Sequence, residues 1–255
     1  MQSALISKGT EVLKENLARS IDANARAYFI KSSGGRRLVT TDIHGSYQTF
    51  MKLIKKIKLS KSDQLFVLGD FINRAPYSIF VIEHICELLV KGYQIFPLRG
   101  NHEQLVLDFA LDDQNKLKAM TERQYSKHLL KKDRLPKTTI EFFETLPFYY
   151  ELEDYYLVHA GFDTGLKKPL KGWKEMLWIR SMNYNSKQLK DKTVIHGHVP
   201  TPLPLIEEQI VSKSPEIALD NGCIRAGVYH FGNLVCLDLD SREYLVQKNI
   251  DFLPA

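Results

Sequence analysis

The sequence predicts an α/β fold, and two observations carry that expectation. First, three apolar runs, Leu38-Val39-Thr40-Thr41, Leu65-Phe66-Val67-Leu68 and Ile95-Phe96-Pro97-Leu98, are each followed by Asp, His or Asn, and amphipathic helical sequence separates them. Short apolar runs of this kind read as strands buried on both faces, and helical crossovers make them parallel. Such crossovers are right-handed, so the strand ends gather along one sheet edge, where ligands bind. Second, short runs recur at Tyr155–Val158, Thr193–Ile195, Ile217–Leu219, Leu234–Leu237 and Glu243–Val246. Their close spacing, with no room for crossover helices near the end, predicts antiparallel hairpins in a second sheet.

Residues 1–35 come before the first strand. Leu5, Val12, Leu13, Leu17 and Ile21 recur at roughly helical spacing and Ser33-Gly34-Gly35 is a break, so a helical extension is expected, either packed on the domain or serving a partner. The domain proper is expected over 36–255. Its first crossover helix begins near Ser46, with Phe50, Leu53, Ile54 and Ile57 on one stripe. A second runs from about Tyr77 to Lys91, with Phe80, Val81, Ile85, Leu88 and Leu89 inward and Gly92 as C-cap. From about 104 to 146 the sequence turns helical and basic, including Lys116, Lys118, Arg123, Lys127, Lys131, Lys132, Arg134 and Lys137. This insertion is either a solvated face or a cap that concentrates an anionic substrate beside the site.

At 255 residues with ordinary apolar and charged fractions, the chain is long enough to bury one substantial core. Cys86, Cys223 and Cys236 are odd in number and lack paired spacing, which favours a reduced compartment over a disulfide framework. With no signal peptide or membrane-spanning run, soluble and cytoplasmic is the default expectation, and export by a route that reads no N-terminal signal stays open. A net charge of +5 favours anionic partners without indicating nucleic acid.

The clusters at the strand ends are Asp42-Ile43-His44-Gly45, Gly69-Asp70 with Asn73-Arg74, and Gly100-Asn101-His102-Glu103; His159-Ala160-Gly161 and His196-Gly197-His198 follow the later runs. Carboxylate, imidazole and amide oxygen suit divalent manganese, iron or zinc, and the lack of thiolate argues against a structural zinc knot. Asp42, His44 and Asp70 are expected to hold one ion. Asp70, Asn101, His159 and His198 are expected to hold a second, with Asp70 bridging. Two ions about 3.5–4 Å apart share a hydroxide and clamp the oxygens of an in-line displacement at phosphorus. A lone Asp-x-His or Gly-Asn-His-Glu is explained by capping or turn chemistry. Five such fragments in one order, each closing an apolar run, are not.

Asp42-x-His44-Gly45, Gly69-Asp70-x-x-Asn73-Arg74, Gly100-Asn101-His102-Glu103, His159-Ala160-Gly161 and Gly197-His198-x-Pro200 resemble the signature of the calcineurin-like metallophosphoesterases. Within that superfamily they resemble the bacterial and phage branch of the phosphoprotein phosphatases, with symmetrical diadenosine tetraphosphatases as relatives. The resemblance covers roughly residues 37–246 and implies a β-sandwich of two mixed sheets flanked by helices. It further implies that manganese fills both metal positions, with iron and zinc as alternatives, and that His102 protonates the leaving alkoxide. Arg74 and Arg180, the latter in Leu177-Trp178-Ile179-Arg180, are implied to hold the phosphoryl oxygens. His196 stands where the family has no ligand and reads as a strand histidine; His84, His128 and His230 read as unrelated to the site. Asp220 and Gly222 read as structural, and Cys223 as packed.

Asn73 stands where the family usually has Asp, and Ala75 where it usually has Gly. Asn73 is expected to accept a hydrogen bond from the His102 ring, but without full negative charge it raises the ring's pKa less. Three functions follow: a phosphatase of phosphorylated Ser or Thr side chains, with Tyr open; a symmetrical diadenosine tetraphosphate hydrolase, favoured by Asn73; or a phosphate-recognising scaffold on a disabled site. The last is the weakest, since every ligand position is filled. The expected partner is a phosphoprotein or other anionic phosphoester, with no membrane or specific nucleic acid; oligomeric state is left open.

Overall fold

A computed structural model describes residues 2–17, 20–22 and 26–251. The chain begins with α1 (Gln2–Asn16), β1 (Ser20–Asp22), β2 (Ala27–Phe29) and β3 (Arg37–Thr40). The crossovers follow as α2 (Tyr47–Lys56), β4 (Gln64–Val67), α3 (Ser78–Val90) and β5 (Gln94–Pro97). A helical stretch of α4 (Asn101–Asp112), α5 (Gln114–Arg123) and α6 (Lys137–Thr145) leads to β6 (Tyr149–Glu151) and β7 (Tyr155–Val158). Then come α7 (Trp173–Trp178), β8 (Thr193–His196), α8 (Leu203–Val211), β9 (Glu216–Ala218), β10 (Asn233–Asp238) and β11 (Tyr244–Lys248).

These strands form two mixed sheets, one ordered β11-β10-β3-β4-β5 and the other β1-β2-β6-β7-β8-β9. Strands β3, β4 and β5 are parallel, with Val39, Phe66 and Phe96 in register, as their fully buried runs require. Leu65, Val67 and Val235 share one core with Tyr150, Leu157, Ile195 and Ile217 of the other sheet, which makes the architecture a sandwich. On the far face of the second sheet, Tyr156, Val158 and Val194 pack against Met176 and Leu177 of α7.

The expected antiparallel hairpins are corrected in two ways. Strands β7, β8 and β9 pair in parallel, because α7 with its flanking loops and then α8 return the chain to the same end of the sheet. The one terminal hairpin, β10–β11, belongs to the first sheet, where Leu237 of β10 opposes Val39 of β3. Strand β6 was not expected at all. It pairs with β7, and also with β2, so Ala27–Phe29 in the stretch expected to be helical is a strand.

Helix α1 packs on α3 and α6 and buries Ile6 and Leu13, each contributing about 2 kcal/mol by area. Leu5 and Val12 are half-buried, and the side chain of Ile21 lies outside the described residues. Phe80 points outward, 43% exposed, against the rings of Tyr47 and Tyr77. Phe80 was expected inward, but α3 is covered by α1 as well as by the sheet, so it is apolar nearly all round and no narrow stripe marks its inner face. Many charges of the basic stretch are paired locally, Lys118 with Asp133 at 2.9 Å and Lys127 with Glu122 at 2.8 Å. Exposed pairs of this kind contribute little stability. Among the described residues, none of the basic side chains of 116–137 lines the cavity that holds the strand-end clusters.

Candidate metal centre

The parallel strands deliver their clusters to one edge through strained turns. Asp42, His44, Asp70, Asn73, Arg74 and His198 all have φ between +48° and +69°. For side chains other than glycine this region costs about 1 kcal/mol or more per residue and persists only where the surroundings enforce it. Here they do: His44 N–H donates to Asp70 O at 2.8 Å and Asp42 N–H to Gly69 O at 3.2 Å. The Glu103 carboxylate, fully buried, accepts from the backbone N–H of Asp70 at 2.9 Å, Gly100 at 2.8 Å and Phe71 at 3.2 Å. Asp70 Oδ1 in turn accepts from His102 N–H at 2.9 Å. This knot has no room for a side chain at Gly100, whose Cβ would press on Glu103 Oε2 and on the Asp70 carboxylate.

Asp70 lies at the middle. Ligating atoms of His44, Asp70 and His102 fall within 4.8 Å of one another, and so do those of Asp70, His159 and His198. His44 Nε2 is 3.7 Å and His159 Nε2 3.6 Å from the Asp70 carboxylate. Both rings are oriented by their other nitrogen: His44 Nδ1 donates to Ile72 O at 3.0 Å and His159 Nδ1 to Leu68 O at 2.8 Å. Each neutral ring thus turns a lone pair at Nε2 toward the centre. Asn101 Oδ1 stands 2.9 Å from His159 Nε2 and 3.0 Å from His198 Nδ1. The second expected set, Asp70, Asn101, His159 and His198, is therefore assembled. In the first, His44 and Asp70 meet with His102 beside them, while Asp42 lies outside that group. Its carboxylate accepts from the Thr41 hydroxyl and, at 3.1 Å, from His198 N–H, tying the two sheets together.

Burial sets the electrostatics. It pushes Asp70 up to about 7, with Asp220 adding to the rise, and it raises Asp42 well above the carboxylate range, helped by the charges of Asp220 and Asp70. Burial lowers His44 and His159, the latter to about 4, and lowers His198 to about 3 with help from the neighbouring His159. Neutral imidazoles beside crowded buried carboxylates, with an amide oxygen among them, are a donor set that a hard or borderline divalent cation satisfies. The residues fit the two-ion expectation on that chemistry.

The Asn73–His102 bond runs opposite to the expected direction: Asn73 Nδ2–H donates to His102 Nδ1 at 2.9 Å, so the neutral His102 carries its proton on Nε2, 3.9 Å from the Asp70 carboxylate. Burial, then the Arg74 charge, lowers His102 to about 3. Arg74, Arg180 and Trp178 line the same cavity of about 430 Å3. His196 is not part of it; its Nε2 pairs with Glu216 at 3.1 Å. His84 pairs with Glu87. The three cysteines are buried and pushed up to about 12, packed rather than reactive.

Two acids were under-read. Asp220 stands in the cavity wall, buried, with its carboxylate accepting from Gly222 N–H at 2.6 Å and its charge acting on Asp42 and Asp70. Its signal was available, since it closes the run Ile217-Ala218-Leu219 as Asp42 and Asp70 close theirs. Glu103 was read as the end of the Gly-Asn-His-Glu fragment, with no hint of the backbone groups it holds. A larger hollow of about 610 Å3 beside Arg37, Tyr155 and Asp240 opens at the opposite end of the strands, away from both ligand groups.

Residues 35–252 match the sequence profile of a family described as Calcineurin-like phosphoesterase. A stretch of 80 residues is 34% identical to the Serine/threonine-protein phosphatase 1 of Salmonella typhimurium, covering 31% of this chain and 35% of that one. A stretch of 70 residues is 37% identical to a symmetrical bis(5'-nucleosyl)-tetraphosphatase of Nitrosococcus oceani, covering 27% of this chain and 24% of that one. The matched stretches span about a third or less of these relatives. The fold is like that of a solved protein serine/threonine phosphatase from Saccharomyces cerevisiae, with a TM-score of 0.65 at 14% identity over 99% of this chain and 90% of the other. The family profile spans β3 to β11 and every candidate ligand named above, and the chain belongs to the calcineurin-like phosphoesterases.

Proposed function

We propose that the chain is a metal-dependent phosphomonoester hydrolase acting on phosphorylated serine or threonine side chains, with phosphotyrosine as a further substrate. The observation that carries the reaction class is the sharing of Asp70 between two ligand groups in a cavity that Arg74 and Arg180 also line. Asp42, His44 and Asp70 would hold one ion and Asp70, Asn101, His159 and His198 the other, with manganese the metal proposed. When bound, such a pair supplies Lewis acidity and brings the pKa of water into the working range. The protein's own groups do the rest. Arg74 and Arg180 present guanidinium forks that fit phosphoryl oxygens and fix their orientation. His102, held by Asn73 in the tautomer with its proton on Nε2, donates a hydrogen bond to the leaving oxygen. Glu103 keeps the Asp70 backbone in place.

A second reading, symmetrical dinucleoside tetraphosphate hydrolysis, is favoured by Asn73. A nucleoside diphosphate leaves far more readily than an alkoxide and needs less proton donation, which suits a His102 without an acidic partner. The test is product analysis of the manganese-loaded protein, with and without chelator, on phosphoserine, phosphothreonine and phosphotyrosine peptides and on diadenosine tetraphosphate. Metal-dependent phosphate from the peptides, with the dinucleotide intact, is the expected result. ADP from the dinucleotide with inert peptides replaces it with the second reading.

A further inference from the structure

We propose that Arg225 reads a second negative charge, carried on the leaving-group side of the substrate. The inference rests on the hydrolytic reading above, in that it assigns one side of the cavity to the leaving group. Three guanidiniums line that cavity, Arg74 from the turn after β4, Arg180 from the segment after α7, and Arg225 from the loop between β9 and β10. Arg36 and Arg37, by contrast, hold the carboxylates of Asp63 and Asp240. Among the described residues, none of the three cavity arginines holds such an ion pair.

Arg225 is exposed, yet its position is built. Its stem lies over Gly222 beside Pro200, so closely that a Cβ on Gly222 would meet Arg225 Cδ at 3.1 Å and Pro200 Cβ at 3.2 Å. Its guanidinium stands over the Phe231 ring, 5.3 Å from the centroid. Its backbone closes a turn through N–H to Gly222 O at 2.8 Å and accepts from Val228 N–H at 3.1 Å. Part of the entropy of holding a long cation in place is therefore lost before any ligand arrives.

A single phosphoryl group offers few terminal oxygens, and Arg74, Arg180 and the ligand groups around Asp70 already face them. A third planar fork in the same wall matches another carboxylate or phosphate. Trp178, 45% exposed, and Ile224 flank the space with apolar surface, so the group that carries the charge brings carbon with it. That chemistry has two sources: the carboxylate of an acidic residue next to the phosphorylated one, or the inner phosphates of a dinucleoside polyphosphate.

The experiment is a binding comparison on the full chain, native and with Arg225→Gln and Arg225→Lys. The probes are two labelled phosphoserine peptides, identical except that two Asp or two Asn follow the phosphoserine, read by fluorescence anisotropy, and diadenosine tetraphosphate against inorganic phosphate as competitors. The native protein is expected to favour the charged member of at least one pair by about tenfold, the scale of one charge-assisted hydrogen bond. Arg225→Gln brings that ratio to about one, and Arg225→Lys recovers part of it. Collapse of the peptide ratio assigns the carboxylate; collapse of the competitor ratio assigns the inner phosphates. Ratios that stay unchanged in Arg225→Gln, whether both affinities fall together or neither falls, overturn the proposal. Because the readout is binding, failure of the hydrolytic reading is seen separately, as absent phosphate release with the discrimination intact.

Discussion

At the scale of single residues, the site depends on what holds the ligands as much as on the ligands. Asn73 gives His102 a hydrogen bond without a charge, and burial with Arg74 keeps the ring neutral. In Asn73→Asp a carboxylate replaces the amide at hydrogen-bond distance and favours the imidazolium, so the His102 pKa rises. A raised pKa keeps the ring protonated to higher pH. The expected outcome is a kcat on phosphoserine peptide about tenfold higher, with the alkaline limb of its pH profile moved upward; an unchanged profile removes His102 as proton donor. Glu103 acts differently, through three backbone N–H groups. Glu103→Gln turns an amide NH2 toward donors that need an acceptor, at a cost of about 2–4 kcal/mol, and urea unfolding with a midpoint like the native one would show the knot to be dispensable. The side chains gathered at the sheet edge were legible because each closes an apolar run and stands beside another residue of ligating type. Glu103 was not, because its partners at Asp70 and Phe71 lie about thirty residues away in sequence and a hydrogen bond from a side chain to so distant a backbone leaves no local pattern.

At the scale of elements, the strands with helical crossovers were legible and the others were not. The connection from β7 to β8 holds a three-residue 3-10 turn and the six-residue α7, and β2 and β6 are three residues each. Pieces that short have no period to read, so their pairing is fixed by the core they share. What joins the legible elements is specific. Asp63, just before β4, accepts from Arg36 Nη2 at 2.7 Å, from Ser60 N–H at 2.8 Å and from the Ser60 hydroxyl at 2.9 Å, clamping the end of the first crossover to the start of β3. Burial works to raise its pKa, but these bonds prevail and hold it at about 2. The folded pKa lies below the unfolded one, so the clamp stabilises the fold above about pH 4 and is lost as pH falls toward 2. Asp63→Asn is expected to lower stability at pH 7 by about 1–2 kcal/mol, given the half-exposed Arg36. The gap from the native protein should close near pH 2. A gap constant across that range would mean that the loss is one of packing and not of charge.

For the whole molecule, the site is the seam of the sandwich. Asp42, His44, Asp70, Asn101 and His102 come from the β3–β4–β5 sheet, and His159, His198 and Asp220 from the other. Direct bonds cross the seam at His198 N–H to Asp42 and at His159 Nδ1 to Leu68 O, and farther off at Tyr150 to Pro97 O and Tyr155 to Leu239 O. A cation held by Asp70 together with His159 and His198 adds a bond between sheets that the unfolded chain does not make, so binding is linked to stability. At about 100 times its Kd, one such ion stabilises by about 2.7 kcal/mol. For a chain of this size that raises Tm by about 5–10 °C. Manganese should therefore lift the melting temperature of chelator-stripped protein by that amount, and chelator should reverse it. Asp70→Asn, which removes the carboxylate common to both ligand groups, should abolish the shift, while Asp63→Asn, destabilised at a site remote from the ligands, should melt lower yet keep the full increment. Equal melting of stripped and manganese-loaded native protein would show that no ion bridges the sheets, and the two-metal reading would fall with it. A shift that survives Asp70→Asn would move the cation away from the centre of the site, to the carboxylates of Asp42 and Asp220, which act on each other across the seam.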